Sequence, residues 1–317
     1  MLTRKNLGIA LIVLILATSG ALFFRQRGGP LTTGADKLQV LTSFYPLGYM
    51  AEEIGGDEIE VSILIPPGGE VHSWQPSISD IAGAEEADLI IYNGAGLDHW
   101  MEEDIIGSID SSDKIIVEAS EGMDLIEMHE EEHAEEGEDE HEEGDPHIWV
   151  SPHTALIIAN KIFMGLVEAD PSNEDYYRGN WESFEDILSS LDEEYSSTLS
   201  STTRRKFFVT HSAYGYVAED YGLEQHGIIG LSADQQPSTS KISEIVEEMT
   251  EEETYVIYID PVYKDAYART LKDELESRTG ETVKILNLYL MVGPVDDMDY
   301  VEQLESNLEN LAEGLTE

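Results

Sequence analysis

The chain has 317 residues, of which 17 are Lys or Arg and 66 are Asp or Glu, so its formal net charge is −49. It contains no cysteine, which excludes a disulfide framework, a thiolate metal site, a cysteine nucleophile and a lipid-modified N-terminal cysteine. So acidic a chain is unsuited to binding nucleic acid or an anionic membrane surface, because both carry negative charge. Its hydrophobic content of 41% suffices for a folded core, and its length favours two domains.

The acidic residues are spread along the chain. Residues 127–145 hold twelve of them and no Lys or Arg, which leaves −49 + 12 = −37 on the remainder. Such a surface resembles those of halophile proteins, where carboxylates retain water and ions. We therefore interpret most of the acidity as an adaptation to high salt rather than as a property of one site.

The first 30 residues are typical of an export segment. Two basic residues precede the apolar run Leu7–Phe24, and two arginines follow it. The run is long for a cleaved signal peptide and near the minimum for a membrane span. Residues 1–30 are therefore predicted to be a signal peptide or an N-terminal membrane anchor. The rest of the chain is expected to function outside the cytoplasmic membrane, either anchored at its outer face or in a periplasm-like space.

From residue 37 onward, short apolar runs alternate with stretches of helical spacing. Strands are predicted at Leu38–Thr42, Ile59–Ile65, Asp88–Tyr92 and Lys114–Val117, with helices at Ile78–Glu86 and Leu97–Ile109. A second set of strands follows at Lys206–Thr210, His226–Ile229, Tyr255–Ile259 and Val283–Leu288, with helices at Ser240–Glu252, Lys264–Thr279 and Tyr300–Leu315. This alternation predicts an α/β fold with two α/β lobes, each built on a parallel sheet.

A long helix is predicted between the lobes, over Asn173–Ser201. Apolar and aromatic residues recur there at intervals of three and four, which marks one buried helical face. The predicted domains are therefore an N-terminal lobe at 36–155, linking helices at 156–203 and a C-terminal lobe at 204–317.

One segment fits neither lobe. Residues 127–145 are rich in acids, almost free of apolar side chains, and contain His129, His133 and His141. We predict a surface loop there. It is either a solvated spacer, as charge runs usually are, or a set of weak auxiliary zinc sites.

Three of the nine histidines stand in informative positions. His72 and His211 each follow a predicted strand, one in each lobe, and His147 follows the acidic loop. Ligands of open α/β sheets bind beyond the carboxyl ends of the strands. Three neutral imidazoles with one open position form a tetrahedral zinc site. From the residues alone, however, a satisfied or exposed imidazole remains the commoner role of a single histidine.

The sequence resembles the substrate-binding proteins of zinc and manganese ABC transporters. The similarity extends from about Leu38 to the C-terminus and rests on several segments in order: PPGGEVH with the following PS at Pro66–Ser77, ADLIIYNGAGLDHWM at Ala87–Met101, DPHIWVSP at Asp145–Pro152, DPSNEDYYRGN at Asp170–Asn180, VTHSAYGYVAEDYGL at Val209–Leu223 and IDP at Ile259–Pro261. The resemblance implies two lobes joined by a long backbone helix, with a metal site in the inter-lobe cleft. It also implies that His72, His147 and His211 are the metal ligands.

The expected cargo is Zn²⁺. Manganese receptors of this family have a Glu at the place of His211, and manganese prefers oxygen ligands, whereas imidazole suits zinc. The family's late carboxylate would fall near Tyr289, where this sequence departs from the pattern. A possible fourth ligand, or a residue supporting the ligands, is Glu70 or, less favoured, Asp260.

The predicted function is an exported, non-enzymatic zinc receptor, expected to be monomeric, that delivers Zn²⁺ to an ABC permease and its ATPase. Three alternatives remain open: a manganese receptor of the same family, a three-His zinc hydrolase with Glu70 as general base, and an adhesin or metal buffer without a permease. The sequence shows no HExxH helix, because its HEEEH string at His129–His133 falls in the predicted acidic loop, which argues against a hydrolase of the common type.

Overall fold

The computed structural model describes residues 37–127, 144–229, 237–263 and 266–316. The predicted export segment, residues 1–30, lies outside this part of the chain, as do His129, His133 and His141 of the acidic loop. None of the helices in the described part combines the length and apolar character needed to cross a bilayer.

The N-terminal lobe is built on a sheet of four parallel strands in the order β2-β1-β3-β4. The strands are β1 (Leu38–Thr42), β2 (Ile59–Ile63), β3 (Leu89–Tyr92) and β4 (Ile115–Glu118). Helix α1 (Tyr45–Gly55) connects β1 to β2, and helix α2 (Ile78–Glu85) lies between β2 and β3. The two central strands are the most buried, because both of their faces are covered: all four residues of β3 and the last three of β1 are buried.

The C-terminal lobe repeats the same strand order, β6-β5-β7-β8, again entirely parallel. Its elements are β5 (Lys206–His211), β6 (Glu224–Ile229), β7 (Val256–Ile259) and β8 (Lys284–Asn287), with helices α5 (Gly215–Asp220), α6 (Thr239–Glu251), α7 (Ala266–Thr279) and α8 (Tyr300–Thr316). In both lobes the strand order reverses beside the first strand, and the crevice for a ligand opens there, beyond the carboxyl ends.

Two long helices link the sheets, α3 (Pro152–Ala169) and α4 (Glu174–Ser200). Asp170 separates them, because its carboxylate accepts a hydrogen bond from the Ser172 amide and caps the turn between them. Helix α4 buries the predicted face: Tyr177, Trp181, Phe184, Leu188, Leu191, Tyr195 and Leu199. Its 27 residues span about 40 Å at about 1.5 Å per residue.

The long helix packs against both lobes, on α1 and α3 of the first and on α8 of the second. One hydrophobic cluster accordingly runs through both lobes, from Leu41 in the first sheet to Val209 and Leu304 in the second. A smaller cluster lies on the far side of the second sheet, around Phe208 and Val246. The two parallel-sheet lobes and the long helix that the sequence predicts are confirmed.

The prediction of one helix over Leu97–Ile109 is wrong. The chain there forms tight turns, then a π-helical turn at Met101–Ile105 and a 3₁₀ turn at Ile106–Ser108. The physical reason lies just upstream, where Gly94, Ala95 and Gly96 all have positive φ and the Asp98 carboxylate accepts the amides of Asn93 and Gly94. This hydrogen-bonded turn occupies the first residues of the apolar pattern, so a regular helix does not start there.

Candidate metal centre

The three predicted histidines lie together between the lobes. His211 is the last residue of β5, His72 lies in the connection from β2 to α2, and His147 precedes α3. One ring nitrogen from each lies within 4.8 Å of the other two. His147 and His211 are buried and His72 is half-buried. No other group of three or more metal-binding side chains occurs in the described part of the chain.

The spacing of the rings suits a tetrahedral ion. Nε2 of His72 lies 3.2 Å from Nε2 of His147. Two nitrogens bound to one tetrahedral zinc at about 2.0–2.1 Å are about 3.3 Å apart, so the observed separation matches the one expected for two ligands of a single zinc ion. The ring centroids are 5.2 Å apart for His72 and His147, 5.2 Å for His147 and His211, and 6.0 Å for His72 and His211.

Asp145 orients the His147 ring. Its Oδ1 lies 2.7 Å from Nδ1 of His147 and also accepts the His147 backbone amide at 3.0 Å. A carboxylate at this distance requires a proton on Nδ1, so the Nε2 lone pair is directed to the cluster. Asp145 is not among the site residues predicted from the sequence, although the Asp-Pro-His spacing is present there.

The C-terminal lobe holds Asp145 in place. The Tyr216 hydroxyl donates to the Asp145 backbone carbonyl at 2.7 Å. A Cβ built on Gly215, the first residue of α5, would come within 2.5 Å of Asp145 Oδ2. The start of α5 therefore lies in direct contact with the carboxylate that orients His147, across the two lobes. Only glycine, which has no Cβ, allows so close an approach.

His72 is maintained in its neutral form. Burial lowers the pKa of its imidazole to about 4, with a further contribution from the neighbouring His147 ring. Its loop is supported by packing of Trp74 on Trp100, whose ring centroids are 4.3 Å apart. The Glu70 carboxylate accepts the His72 backbone amide at 3.1 Å, so this predicted candidate stabilises the turn of the loop that carries both residues.

Asp260, the second acidic candidate, lies directly after β7 and is buried. Its two oxygens accept the backbone amides of Val262 at 2.7 Å and Leu290 at 2.6 Å. Burial nevertheless raises its pKa to about 6. Like Glu70, it is absent from the group of three metal-binding side chains.

Tyr289, which the sequence resemblance aligns with the family's late carboxylate, is buried. Tyr289 follows β8, and its backbone amide and carbonyl both pair with the Asn307 side chain. The remaining described histidines lie apart from the cluster: His99 is exposed, His153 is near Asp192, and His226 lies between Glu224 and Glu248.

Two parallel-sheet lobes, a long helix packed along both and a three-imidazole cluster between them define the class of protein as a two-lobed solute-binding receptor. The family itself follows from sequence comparison. The chain belongs to the ZnuA family, described as zinc-uptake complex component A, periplasmic, whose profile matches residues 40–314.

Two proteins with similar sequences carry zinc in their names. The chain is 33% identical over 290 residues to the high-affinity zinc uptake system protein ZnuA of Bacillus subtilis strain 168, covering 90% of each chain. It is 32% identical over 302 residues to the zinc-binding lipoprotein AdcA of Streptococcus pneumoniae R6, covering 89% of this chain but 58% of AdcA. It therefore spans little more than half the length of AdcA.

A solved structure extends the similarity to the fold. The Zn(II)-bound ZnuA-like domain of Streptococcus pneumoniae AdcA superposes with a TM-score of 0.74 at 27% sequence identity. The superposition covers 89% of this chain and 100% of that domain. The similarity thus includes both lobes rather than one of them.

Proposed function

We propose that this protein is an extracytoplasmic receptor that captures Zn²⁺ between its two lobes and delivers it to an ABC permease. The observation that carries the proposal is the group of three histidine nitrogens within 4.8 Å, contributed by both lobes. His72, His147 and His211 are the proposed ligands. An ion bound to all three joins the lobes, so that loading of the receptor is coupled to its closed form.

Ligand chemistry favours zinc over manganese. All three side chains offer nitrogen, which suits zinc, whereas manganese prefers carboxylate and water oxygens. Tyr289, buried two residues after β8, adds no carboxylate. We propose that the fourth position is taken by water or by Glu70 after a rotation of its side chain, with Asp260 the less favoured candidate because both of its oxygens are engaged by amides.

The surroundings of the cluster favour binding over catalysis. A hydrolase requires a metal-bound water beside a positioned general base and access for a substrate. Glu70, the base of that alternative, is hydrogen-bonded to the His72 amide, and His147 and His211 are 0% and 5% exposed. The family is one of solute receptors. We therefore propose a function without turnover.

The shared core limits how the lobes move. Helix α4 contacts both lobes and the main hydrophobic cluster is continuous between them, so wide hinge opening would expose buried surface. We propose that release needs only local movement near the cleft. The half-buried His72 is the ligand that can leave first, since its loop is the most exposed of the three supporting segments.

The other parts of the chain follow from this function. We propose that residues 1–30 direct export and either are removed or anchor the receptor. The proposed domains are the N-terminal lobe at 36–155, the linking helices at 156–203 and the C-terminal lobe at 204–317. The receptor is proposed to act as a monomer with a permease and its ATPase. The acidic loop with His129, His133 and His141 is proposed to supply weak zinc sites. Deletion of residues 128–143 should change zinc stoichiometry or delivery rate, and no change in either would refute that role.

The function is tested by metal analysis of the chain purified without a polyhistidine tag. We expect near-stoichiometric zinc, lost in each of His72→Ala, His147→Ala and His211→Ala. His153→Ala is the matched control, because His153 is exposed and lies outside the cluster. Zinc retained by any one ligand variant would remove that residue from the site, and a wild-type chain without zinc affinity would refute the proposal.

A further inference from the structure

Asp260 connects two segments of the C-terminal lobe that are 30 residues apart. One oxygen accepts the amide of Val262 in the turn that follows β7, and the other accepts the amide of Leu290 in the segment that follows β8. The carboxylate is only 6% exposed. A buried carboxylate that accepts two backbone amides fixes the separation and orientation of both segments, because each bond is short and directional.

The second of these segments continues into the N-terminal lobe. The Leu290 carbonyl, on the same residue whose amide binds Asp260, accepts the indole N–H of Trp149 at 2.7 Å. The Trp149 ring packs against the His147 ring with a centroid distance of 5.3 Å. One proposed ligand, His147, is thus linked to Asp260 by three contacts, through Leu290 and Trp149.

The same segment also supports the loop that carries His72. The Val292 carbonyl accepts the Gly68 amide at 2.9 Å. Gly293 lies so close to this loop that a Cβ would come within 2.7 Å of the Gly68 nitrogen. Met291, between the two bonded carbonyls, has a φ of +56°, a left-handed conformation that the surrounding contacts must maintain.

The first segment reaches the third histidine. Val262, held by Asp260, is followed by Tyr263, whose ring meets the His211 ring edge-on at 5.9 Å. Contacts that begin at one carboxylate therefore extend to the neighbours of all three histidines.

We infer that Asp260 is a positioning residue that sets the relative placement of the three histidines by fixing the turn after β7 to the segment after β8. The inference rests on the proposed zinc function and deepens it. This role acts through Tyr263, Trp149 and Gly68 and does not require Asp260 to bind the ion. Groups hydrogen-bonded directly to metal ligands alter metal affinity by about 10- to 100-fold when they are changed, so a residue that acts through intermediates should have an effect at or below the lower end of that range.

The test is the variant Asp260→Asn in the full chain. Asparagine has nearly the same volume but one oxygen and one NH₂ group, so one of the two amides loses its acceptor. We expect the zinc dissociation constant to rise by about 3- to 10-fold. The visible absorption spectrum of the Co²⁺-loaded protein should change as well, because the ligand geometry is altered.

Val246→Ala is the matched control for a loss of stability alone. Val246 is 0% exposed in the second core cluster of the same lobe, away from both segments. It should lower the thermal midpoint while leaving the zinc dissociation constant within about two-fold of wild type and the Co²⁺ spectrum unchanged. An Asp260→Asn protein with wild-type affinity and spectrum would overturn the inference.

Trp149→Phe provides a second test if Asp260→Asn does not fold. It keeps an aromatic ring beside His147 but removes the N–H that binds Leu290. A weaker zinc affinity with a shifted Co²⁺ spectrum would support the connection, and wild-type values for both would refute it. Failure of the proposed function itself is distinguishable, because wild type and Val246→Ala would then also lack zinc affinity.

Discussion

Oδ1 of Asp145 lies 2.7 Å from Nδ1 of His147, and this contact determines which nitrogen of the ring faces the cleft. The negative charge stabilises the N–H on Nδ1 and makes Nε2 a better donor to a metal. The contact is fully buried on the histidine side, which makes water a poor substitute for the carboxylate.

The first prediction concerns this carboxylate. Asp145→Asn keeps the shape of the side chain but removes its charge, so we expect zinc affinity to fall by about 10- to 100-fold, with retention of the fold. Isothermal titration with a competing chelator measures the change. Asp124→Asn, at an exposed carboxylate, makes the same change in net charge and should leave affinity unaltered. An equal loss in both variants would mean that overall charge, and not this contact, governs binding.

The second prediction concerns the glycine packed against Asp145. In Gly215→Ala the new methyl group would lie 2.5 Å from Asp145 Oδ2, so the carboxylate or α5 must move. We expect weaker zinc binding and a lower thermal midpoint, measured by titration and by circular dichroism. Gly179→Ala is the matched control, because no atom lies within 4 Å of its new methyl group. There, on helix α4, alanine should raise stability by about 1 kcal/mol and leave zinc binding unchanged.

The sequence alone indicates His147 as a candidate ligand, but it does not indicate that Gly215 contacts Asp145. Apolar runs predict the strands, the spacing of three and four predicts α4, and strand ends followed by histidines indicate candidate ligands. These signals are local, since each element carries its own pattern. The approach of Gly215 to Asp145 joins residues 70 positions apart and leaves no periodicity, so it emerges only from tertiary packing.

A similar limit applies to the topology. The two lobes share one strand order, yet the sequence shows no repeat, because parallel sheets require only apolar strands and crossover helices and not the same residues. The turn before Met101 was also missed. Its conformation depends on the hydrogen bonds of Asp98 with Asn93 and Gly94, which override the apolar spacing that follows.

The third prediction uses Asp98 to test pH dependence. Burial raises the pKa of this carboxyl to about 6, although it accepts two backbone amides. Between about pH 4 and pH 6 the unfolded chain has released this proton while the folded chain retains it, so stability falls as pH rises through this range. A single group with this pKa shift adds about 3 kcal/mol to the free energy of unfolding at low pH. This contribution is lost by about pH 7.

Asp98→Asn, which cannot ionise, isolates that contribution. Urea denaturation measures the free energy of unfolding of both proteins. As pH rises from about 4 to 7, wild type should lose up to about 3 kcal/mol of stability relative to the variant. Asp124→Asn again serves as the control and should show no such shift with pH. A difference between Asp98→Asn and wild type that is constant with pH would contradict the assignment.

The fourth prediction concerns the acidic surface. Glu305 is exposed on α8, and partial burial together with the carboxylates of Glu302 and Glu194 raises its pKa. Glu305→Lys replaces this repulsion with attraction, so the thermal midpoint should rise at low ionic strength. At about 1 M salt the Debye length is about 3 Å, and the gain should largely disappear.

Glu281→Lys makes the same change of charge at an exposed position after α7 and separates local repulsion from net charge. If repulsion around Glu305 lowers the thermal midpoint of wild type, Glu281→Lys should raise the midpoint less than Glu305→Lys does at low salt. Both increases in thermal midpoint should shrink as salt rises. Equal, salt-independent gains would contradict the electrostatic explanation. Zinc affinity should stay constant in both variants at high salt, because screening then leaves capture to the three buried or half-buried imidazoles rather than to long-range attraction by the acidic surface.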